Sequence, residues 1–496
     1  MSYRNIVYNN KESTITLFTW NEAGERIKYD TTVEPYLYVE GPGNFESIFG
    51  TKLIRKKFNN QYSRYKFVKD NGLKKVFENL PAYQQFLVDN FWQLNEEDDF
   101  NTNPIKTNFV DIETYSPDAF PDIKTANHPI TVITVYDSLN DEFVTWGKDA
   151  YENTQDDVTY YHCPDERSLL MSFVEHHEND YPDILSGWNS EFFDIPYIIN
   201  RIRRLLGDDW VDRLSPVGRV YDREIRGQFG KDQTKWYIEG VSLLDYLDVY
   251  KKFARGMRES YKLDAIGEFE LNQKKVDIGN MNLATLTDND WQTFVDYNIQ
   301  DVRLLKNLEV KLKYIDLVVM LAYTGLSTFE AAMGSLTVIN GATAIRARRR
   351  GQIIPTYIRG EDTGKNPGAY VGTPLGGFQK DIMSVDANSL YPNVMISLNI
   401  SPETKLGHIE DKNDKEVTIR HVNGKTFVMP IAKFGKFVRD EQIAISRSNV
   451  MFTQKKKGVM PEILDEYYDK RVEIQKELKT LKVQLAQLDE TMKAIS

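Results

Sequence analysis

One cysteine, Cys163, stands in 496 residues. A lone thiol excludes internal disulfides and cysteine-rich zinc sites, and it suits a reducing compartment. Long apolar runs are missing as well. None approaches the roughly 20 residues needed to span a bilayer, and the opening Met1-Ser-Tyr-Arg-Asn-Ile-Val-Tyr-Asn-Asn lacks the apolar core of a signal peptide. A soluble, intracellular protein with no membrane partner is expected. Excess positive charge is also absent. The net charge of −11 argues against a generic polyanion binder, though not against a local basic groove. Between Ala331 and Gly360 it is acid that is lacking: there is no Asp or Glu, while Arg346, Arg348, Arg349, Arg350 and Arg359 are present. That window fits either a solvated helix end or a phosphate-contacting surface.

What is present is ordinary globular composition, 41% hydrophobic and 27% charged, in a chain long enough for about three to four domains. The 28 tyrosines and 25 phenylalanines suit large cores and base-stacking surfaces. Up to Asn103 the chain alternates short β-like runs with turns and reads as a small α+β domain, with Tyr36-Leu-Tyr-Val-Glu ending at Gly41-Pro42-Gly43 and a basic run at Lys52, Arg55, Lys56 and Lys57.

The chemistry begins at Asn108-Phe-Val-Asp111-Ile-Glu113-Thr. In a strand, residues two apart share a face, so Asp111 and Glu113 stand side by side and repel. Alone, the pair fits an exposed acidic edge; with further acids it makes one wall of a site for a hard divalent ion. Ile130-Thr-Val-Ile-Thr-Val-Tyr alternates like a second strand. Glu166 to His176 is helix-like, and Asp183-Ile-Leu-Ser-Gly-Trp-Asn runs from strand into loop. Asp194, two residues before Pro196, taken by itself has the look of a helix N-cap. Two strand-like runs about Gly230-Lys231 suggest a hairpin. Tyr297 and Asp301 are four apart on a later helical pattern and share its face. Together, four carboxylates from a sheet and its flanking helices suit two metal ions roughly 3.5 to 4 Å apart, as in phosphodiester hydrolysis, with Tyr297 orienting the water.

Asp111-Ile-Glu, Gly187-Trp-Asn-Ser-Glu-Phe-Phe-Asp194-Ile-Pro-Tyr and Tyr297-Asn-Ile-Gln-Asp301 resemble the three exonuclease motifs of family B DNA polymerases, in particular the replicative polymerases of T4-like tailed phages. Asp245-Tyr-Leu-Asp-Val-Tyr-Lys-Lys-Phe and Ser260-Tyr-Lys-Leu-Asp264 look like the same family. The resemblance implies an RNase H-like 3′→5′ proofreading domain acting on a single-stranded 3′ end. It also implies metal ligation by Asp111, Glu113, Asp194 and Asp301, and a hairpin that separates primer from template. Further on, Asp381-Ile-Met-Ser-Val-Asp386-Ala-Asn-Ser389-Leu390-Tyr391-Pro resembles polymerase motif A. A strand is expected to deliver Asp386 at its end, with Pro392 opening a helix. By resemblance Asp386 binds the magnesium ions of nucleotidyl transfer, Ser389, Leu390 and Tyr391 meet the triphosphate, and the Tyr391 ring excludes a 2′-hydroxyl. Arg471 matches the triphosphate-binding arginine, but Gln475 stands where the family has lysine, and Lys476 is displaced by one.

The chain contains neither the family's Asp-Thr-Asp nor a Tyr-Gly dipeptide, and one palm carboxylate cannot bridge two ions as two can. The expected fold is therefore multidomain, α/β and α+β: an RNase H-like exonuclease, a mixed sheet flanked by helices, plus an incomplete family B palm and fingers. Expected boundaries are 1–103 for the N-terminal domain, 104–335 for the exonuclease, 336–379 for a connector with a basic DNA-facing segment, 380–450 for a partial palm, and 451–496 for a truncated first fingers helix. From Pro461 to Ile495 one helix of about 52 Å is expected. Its Ile474, Leu478, Leu481, Leu485, Leu488 and Met492 form an a/d stripe that calls for a partner, read as a C-terminal polymerase chain from a split gene. The implied cofactor is Mg²⁺, with Mn²⁺ as a substitute. The implied ligands are primer-template DNA, a single-stranded 3′ end and dNTPs, with a sliding clamp reached through the C-terminal chain. The implied setting is the cytoplasm of a phage-infected bacterium. A stand-alone exonuclease and a non-catalytic nucleic-acid-binding subunit are the competing readings.

Overall fold

Thr107–Thr114 (β1) is the strand about which the first of two units is built. The computed structural model describes residues 3–93, 103–117, 120–226, 232–273, 283–357, 372–373 and 376–495. They divide into a first unit, Met1–Pro35, Phe58–Tyr65 and Leu80–Gly341, and a second, Tyr36–Lys57, Lys66–Asn79 and Ala342–Ser496. The first 103 residues thus contribute sheets to both units.

In the first unit, β1 is followed by Ile130–Asp137 (β2), Glu142–Gly147 (β3), Val158–His162 (β4), the helix Glu166–Asn179 (α1) and Ile184–Gly187 (β5). The helix Asp194–Leu206 (α2), the hairpin strands Val220–Arg226 (β6) and Asp232–Ile238 (β7), Ser242–Asp245 (β8) and the helix Trp291–Leu312 (α3) complete its frame. Six strands form one sheet in the order β4-β3-β2-β1-β5-β8. Only β2 runs against the rest, since β2 pairs antiparallel with both β1 and β3 while the other neighbours are parallel. This is the mixed, helix-flanked sheet of the RNase H-like expectation. Every residue of β2 is buried, as a β-branched central strand covered on both faces requires. On α2, Ile195, Ile198, Ile199 and Ile202 are buried at the i, i+3, i+4, i+7 spacing of a single apolar stripe.

A buried charge network ties the first strand, Tyr3–Asn9, to the start of β1. Asp183 pairs with Arg4 and with Arg26 (3.0 Å) and accepts the Lys106 backbone N–H at 2.9 Å. The Lys106 ammonium in turn reaches Asp137 at 2.7 Å and Asp180 at 2.6 Å. β6 and β7 pair in register from Val220↔Ile238 to Arg226↔Asp232; the Gly230-Lys231 turn lies outside the described residues, as does Asn366-Pro-Gly-Ala-Tyr-Val.

In the second unit, Tyr36–Glu46 does not stop at Gly41-Pro42-Gly43 as expected but runs through it, with a register shift between Glu40 and Phe45. The bulge tolerates the proline, and glycine is needed because a Cβ on Gly43 would lie 2.0 Å from the Leu53 carbonyl oxygen. Its sheet is completed by Pro355–Tyr357, which pairs with Lys75–Phe77. The helix Ser335–Arg349 (α4) ends in this unit. Three arginines at its end are engaged by acids: Arg348 binds Glu78 (2.7 Å) and the Tyr36 hydroxyl, Arg346 binds Glu462 (3.0 Å) and Glu466, and Arg350, just beyond the helix, also meets Glu462, while Arg349 is exposed. An acid-free window recruits its counter-ions from remote sequence. Leu390–Ser397 (α5), a five-stranded antiparallel sheet within 405–453, and the long helix Val459–Ile495 (α6) follow.

Candidate active site

Asp111 and Glu113 lie on the partly exposed face of β1, while Ile112 between them is buried in the core. Strand β5 pairs with β1 only as far as Ser186↔Phe109, so the acidic end of β1 projects past its neighbour. There the chain turns at Gly187, where a Cβ would meet the Val110 carbonyl oxygen at 2.6 Å. α3 packs over β1 and β2. Its buried stripe runs Phe294, Asn298, Asp301, Leu305, Leu308, so two polar residues interrupt an apolar seam where the helix crosses β1. Asp290 caps the helix by accepting from Thr293 N at 3.1 Å and so fixes that register.

One carboxylate oxygen each from Asp111, Glu113 and Asp301 lies within 4.8 Å of the others. Asp194 stands beside them. It is not the N-cap suggested by its local sequence: Phe193 occupies that position, and Asp194 is the first helical residue. Its carboxylate accepts the Ile112 N–H at 3.3 Å, so a strand amide from another element reaches it alongside its own backbone N–H. Burial pushes the Asp194 carboxyl well above the usual carboxylate range; the Ile112 N–H opposes this, and Asp245 and Asp301 add to it. Tyr297 sits one turn before Asp301 on the same face of α3.

Two residues outside the expected set support this cluster. Asn298, fully buried, donates from Nδ2 to Asp111 Oδ2 at 2.7 Å. Asp245, at the end of β8, accepts from Asn189 N (3.0 Å), Glu191 N (3.2 Å) and Leu247 N (2.9 Å), and so shapes the loop that leads to Asp194; burial raises its carboxyl to about 6. Asn298 adjoins Tyr297 in sequence, but no spacing rule marks it. Asp245, ahead of an amphipathic helix, could have been found as an N-cap. The cluster fits a hard divalent cation: its donors are all carboxylate oxygens, and a cation relieves their mutual repulsion. Among the described residues no other convergent group of three such ligands occurs.

The polymerase-like residues are less assembled. Residues 382–387 form no strand and are exposed, correcting the expectation for Asp386; a strand needs a hydrogen-bonded neighbour, and among the described residues none pairs here. Pro392 is the third residue of α5, not the first, behind Ser389 at φ 48°. Arg471 on α6 donates to Ser389 Oγ at 2.9 Å, so these two expected ligands meet, while Tyr391 remains 78% exposed. α6 is the single long helix expected. Ile474, Leu478, Leu481, Leu485 and Leu488 of its stripe are exposed; the side chain of Met492 lies outside the described residues.

The chain matches the DNA polymerase family B exonuclease domain over residues 76–266 and DNA polymerase family B over residues 335–495. It is 30% identical over 407 residues to the DNA-directed DNA polymerase of Escherichia phage RB69, covering 75% of this chain and 44% of that one. With the DNA-directed DNA polymerase of Enterobacteria phage T4 it is 32% identical over 327 residues, 60% of this chain and 36% of the other. With the DNA polymerase delta catalytic subunit of Glycine max it is 27% identical over 337 residues, 64% and 28% respectively. It spans less than half the length of these three relatives. Among the described residues no helix is long and apolar enough to cross a membrane. The chain belongs to DNA polymerase family B and carries its exonuclease domain and part of its polymerase domain.

Proposed function

We propose that this chain removes nucleotides from the 3′ end of single-stranded DNA as the proofreading exonuclease of a phage replicative polymerase, in the cytoplasm of the infected bacterium. The observation that carries the reading is the convergence of Asp111, Glu113 and Asp301, one oxygen of each within 4.8 Å. With Asp194 beside them they would hold Mg²⁺, or Mn²⁺ in its place, which when bound supplies Lewis-acid stabilisation of the attacking and leaving oxygens. Asn298 fixes the rotamer of Asp111 by donating to its Oδ2. The Tyr297 phenol, one turn from Asp301, orients the attacking water. Asp245 positions the loop of Asp194 through three backbone amides.

For the polymerase half we propose that Asp386, Ser389, Leu390, Tyr391 and Arg471 serve primer-template DNA and dNTPs once a C-terminal polymerase portion covers them. The exposed Ile382, Met383, Val385, Leu390 and Tyr391 support this, as does the stripe on α6, since large apolar side chains exposed in such number mark an interaction site. A second chain from a split gene would bring that portion and any sliding-clamp contact. The test is incubation of the purified protein with a 5′-labelled primer-template and Mg²⁺, with and without dNTPs. Shortening from the 3′ end that stops on chelation with EDTA is expected, without extension. Binding with no shortening would favour a non-catalytic subunit instead.

A further inference from the structure

The hairpin of β6 and β7 carries a face that the proposed chemistry leaves unused. Tyr221 and Tyr237 are directly opposed, and their rings stack at 5.2 Å between centroids and 16° between planes. Two guanidiniums flank them: Arg219 lies 4.9 Å from the Tyr221 ring centre, and Arg223 lies 4.9 Å from Tyr221 and 5.7 Å from Tyr237. The two arginines differ in their counter-ions. Arg219 pairs with Glu239 at 3.1 Å. Arg223 is exposed and has no ion pair among the described residues. Directly across the hairpin from it stands Lys235, another cation, an arrangement that destabilises a sheet unless an anion intervenes. Lys235 is satisfied by Glu191 at 2.8 Å; Arg223 is near enough to Glu239 to favour the charged form of that carboxyl but forms no ion pair with it among the described residues. Glu191 belongs to the loop that ends at Asp194, so this face of the hairpin is linked through one ion pair to the loop of the acidic cluster.

We infer that Arg223 binds a backbone phosphate of the single-stranded DNA whose 3′ end enters the acidic cluster, with Tyr221 and Tyr237 holding its guanidinium in place. A guanidinium resting on aromatic rings keeps its N–H edge free, and a planar fork suits the paired oxygens of a phosphate. The like-charged neighbour then contributes attraction for the same anion. The inference rests on the exonuclease reading for which end of the strand is bound, but not for the contact itself.

The test is fluorescence anisotropy of a labelled oligothymidylate twelve-mer titrated with the full chain in EDTA, from 50 to 200 mM NaCl. For Arg223→Gln the Kd is expected to rise about tenfold at 100 mM salt. The slope of log K against log salt should fall by about 0.7, the loss of one single-strand phosphate contact. Arg223→Lys, which keeps the charge without the fork, should retain the parent slope with a Kd raised a few-fold, and it serves if the glutamine variant does not fold. A folded Arg223→Gln protein with the parent's Kd and slope would overturn the inference, as would a lysine variant that matches the parent in Kd. The parallel Mg²⁺ degradation assay separates the two claims. Absence of degradation with an Arg223-dependent slope counts against the exonuclease reading and for the contact; degradation with an unchanged slope counts the other way.

Discussion

At the scale of single residues, the acidic cluster sets the sharpest expectations. Asp301→Asn and Asp111→Ala each remove a charge from a site whose cation contributes several kcal/mol, so degradation of a labelled single strand should fall by on the order of 10³-fold. Circular dichroism should be unchanged, because Asp111 is only partly buried and Asn is isosteric with Asp. Asn298 permits a finer test. Its 2.7 Å bond to Asp111 Oδ2 is a charge-assisted one, of the kind that contributes about 1.5–3 kcal/mol. Asn298→Ala should therefore slow degradation by about ten- to a hundredfold and raise the Mg²⁺ concentration for half-maximal rate. Asn298→Asp has the same shape but sets an anion against Asp111, and should lose more at neutral pH. If the aspartate variant were as active as the parent, the positioning role would be wrong. The strand face shared by Asp111 and Glu113 and the helix face shared by Tyr297 and Asp301 were legible from spacing alone, whereas Asp194, which by itself reads as a cap, joined them only in combination with the other segments. Asn298 was not legible, because its significance depends on which strand α3 crosses.

At the scale of elements, local pattern predicted what pairs locally and failed where a neighbour decides. Buried β2, the stripe of α2 and the length of α6 follow from periodicity. The run before Asp386 has the residues of a strand but no partner among the described residues, and a strand without hydrogen-bonded neighbours does not persist. Asp194 has the local signature of a cap, yet the amide of Ile112 on another element reaches its carboxylate. Helix α1 adds an element-level prediction. His177 is buried on it, with Nε2 donating to the Leu214 carbonyl oxygen at 3.0 Å. Burial pushes its imidazole down to about 4. The folded state therefore resists a proton that the unfolded state accepts near pH 6.5. The resulting stability is present above that pH and is lost as pH falls toward 4. The linked loss is about 2 kcal/mol at pH 5. His176, lowered mainly by its own burial, acts in the same direction. Urea midpoints at pH 7 and pH 5 should drop for the parent and drop less for His177→Gln. Equal drops would show that His177 is not the group that titrates.

At the scale of the whole molecule, the two halves of the sequence differ in how complete a site they assemble. The first unit gathers its acidic ligands, Asp111 and Glu113 partly buried and Asp194 and Asp301 buried, and supports them with Asn298 and Asp245. The second unit exposes Met383 by 86% and Tyr391 by 78%, with the leucine stripe of α6 open as well. Surface of that kind is costly in water, at about 25 cal/mol per Å² of apolar area, and is stable in use only when covered. On the split-gene reading proposed above, the cover is a polypeptide carrying further family B palm, fingers and thumb, with its own palm carboxylates to complement Asp386. Two consequences follow for the mixture of the two polypeptides. It should elute as one complex in size-exclusion chromatography, and Leu481→Glu with Leu485→Glu on α6 should weaken that complex by at least tenfold in Kd. The complex should extend a primer on a template with all four dNTPs, and Asp386→Ala should abolish extension while leaving 3′ degradation intact, because the acidic cluster of the first unit does not depend on it. Extension by the present chain alone would refute the idea that its polymerase site needs completion. Loss of degradation in Asp386→Ala would refute the independence of the two sites.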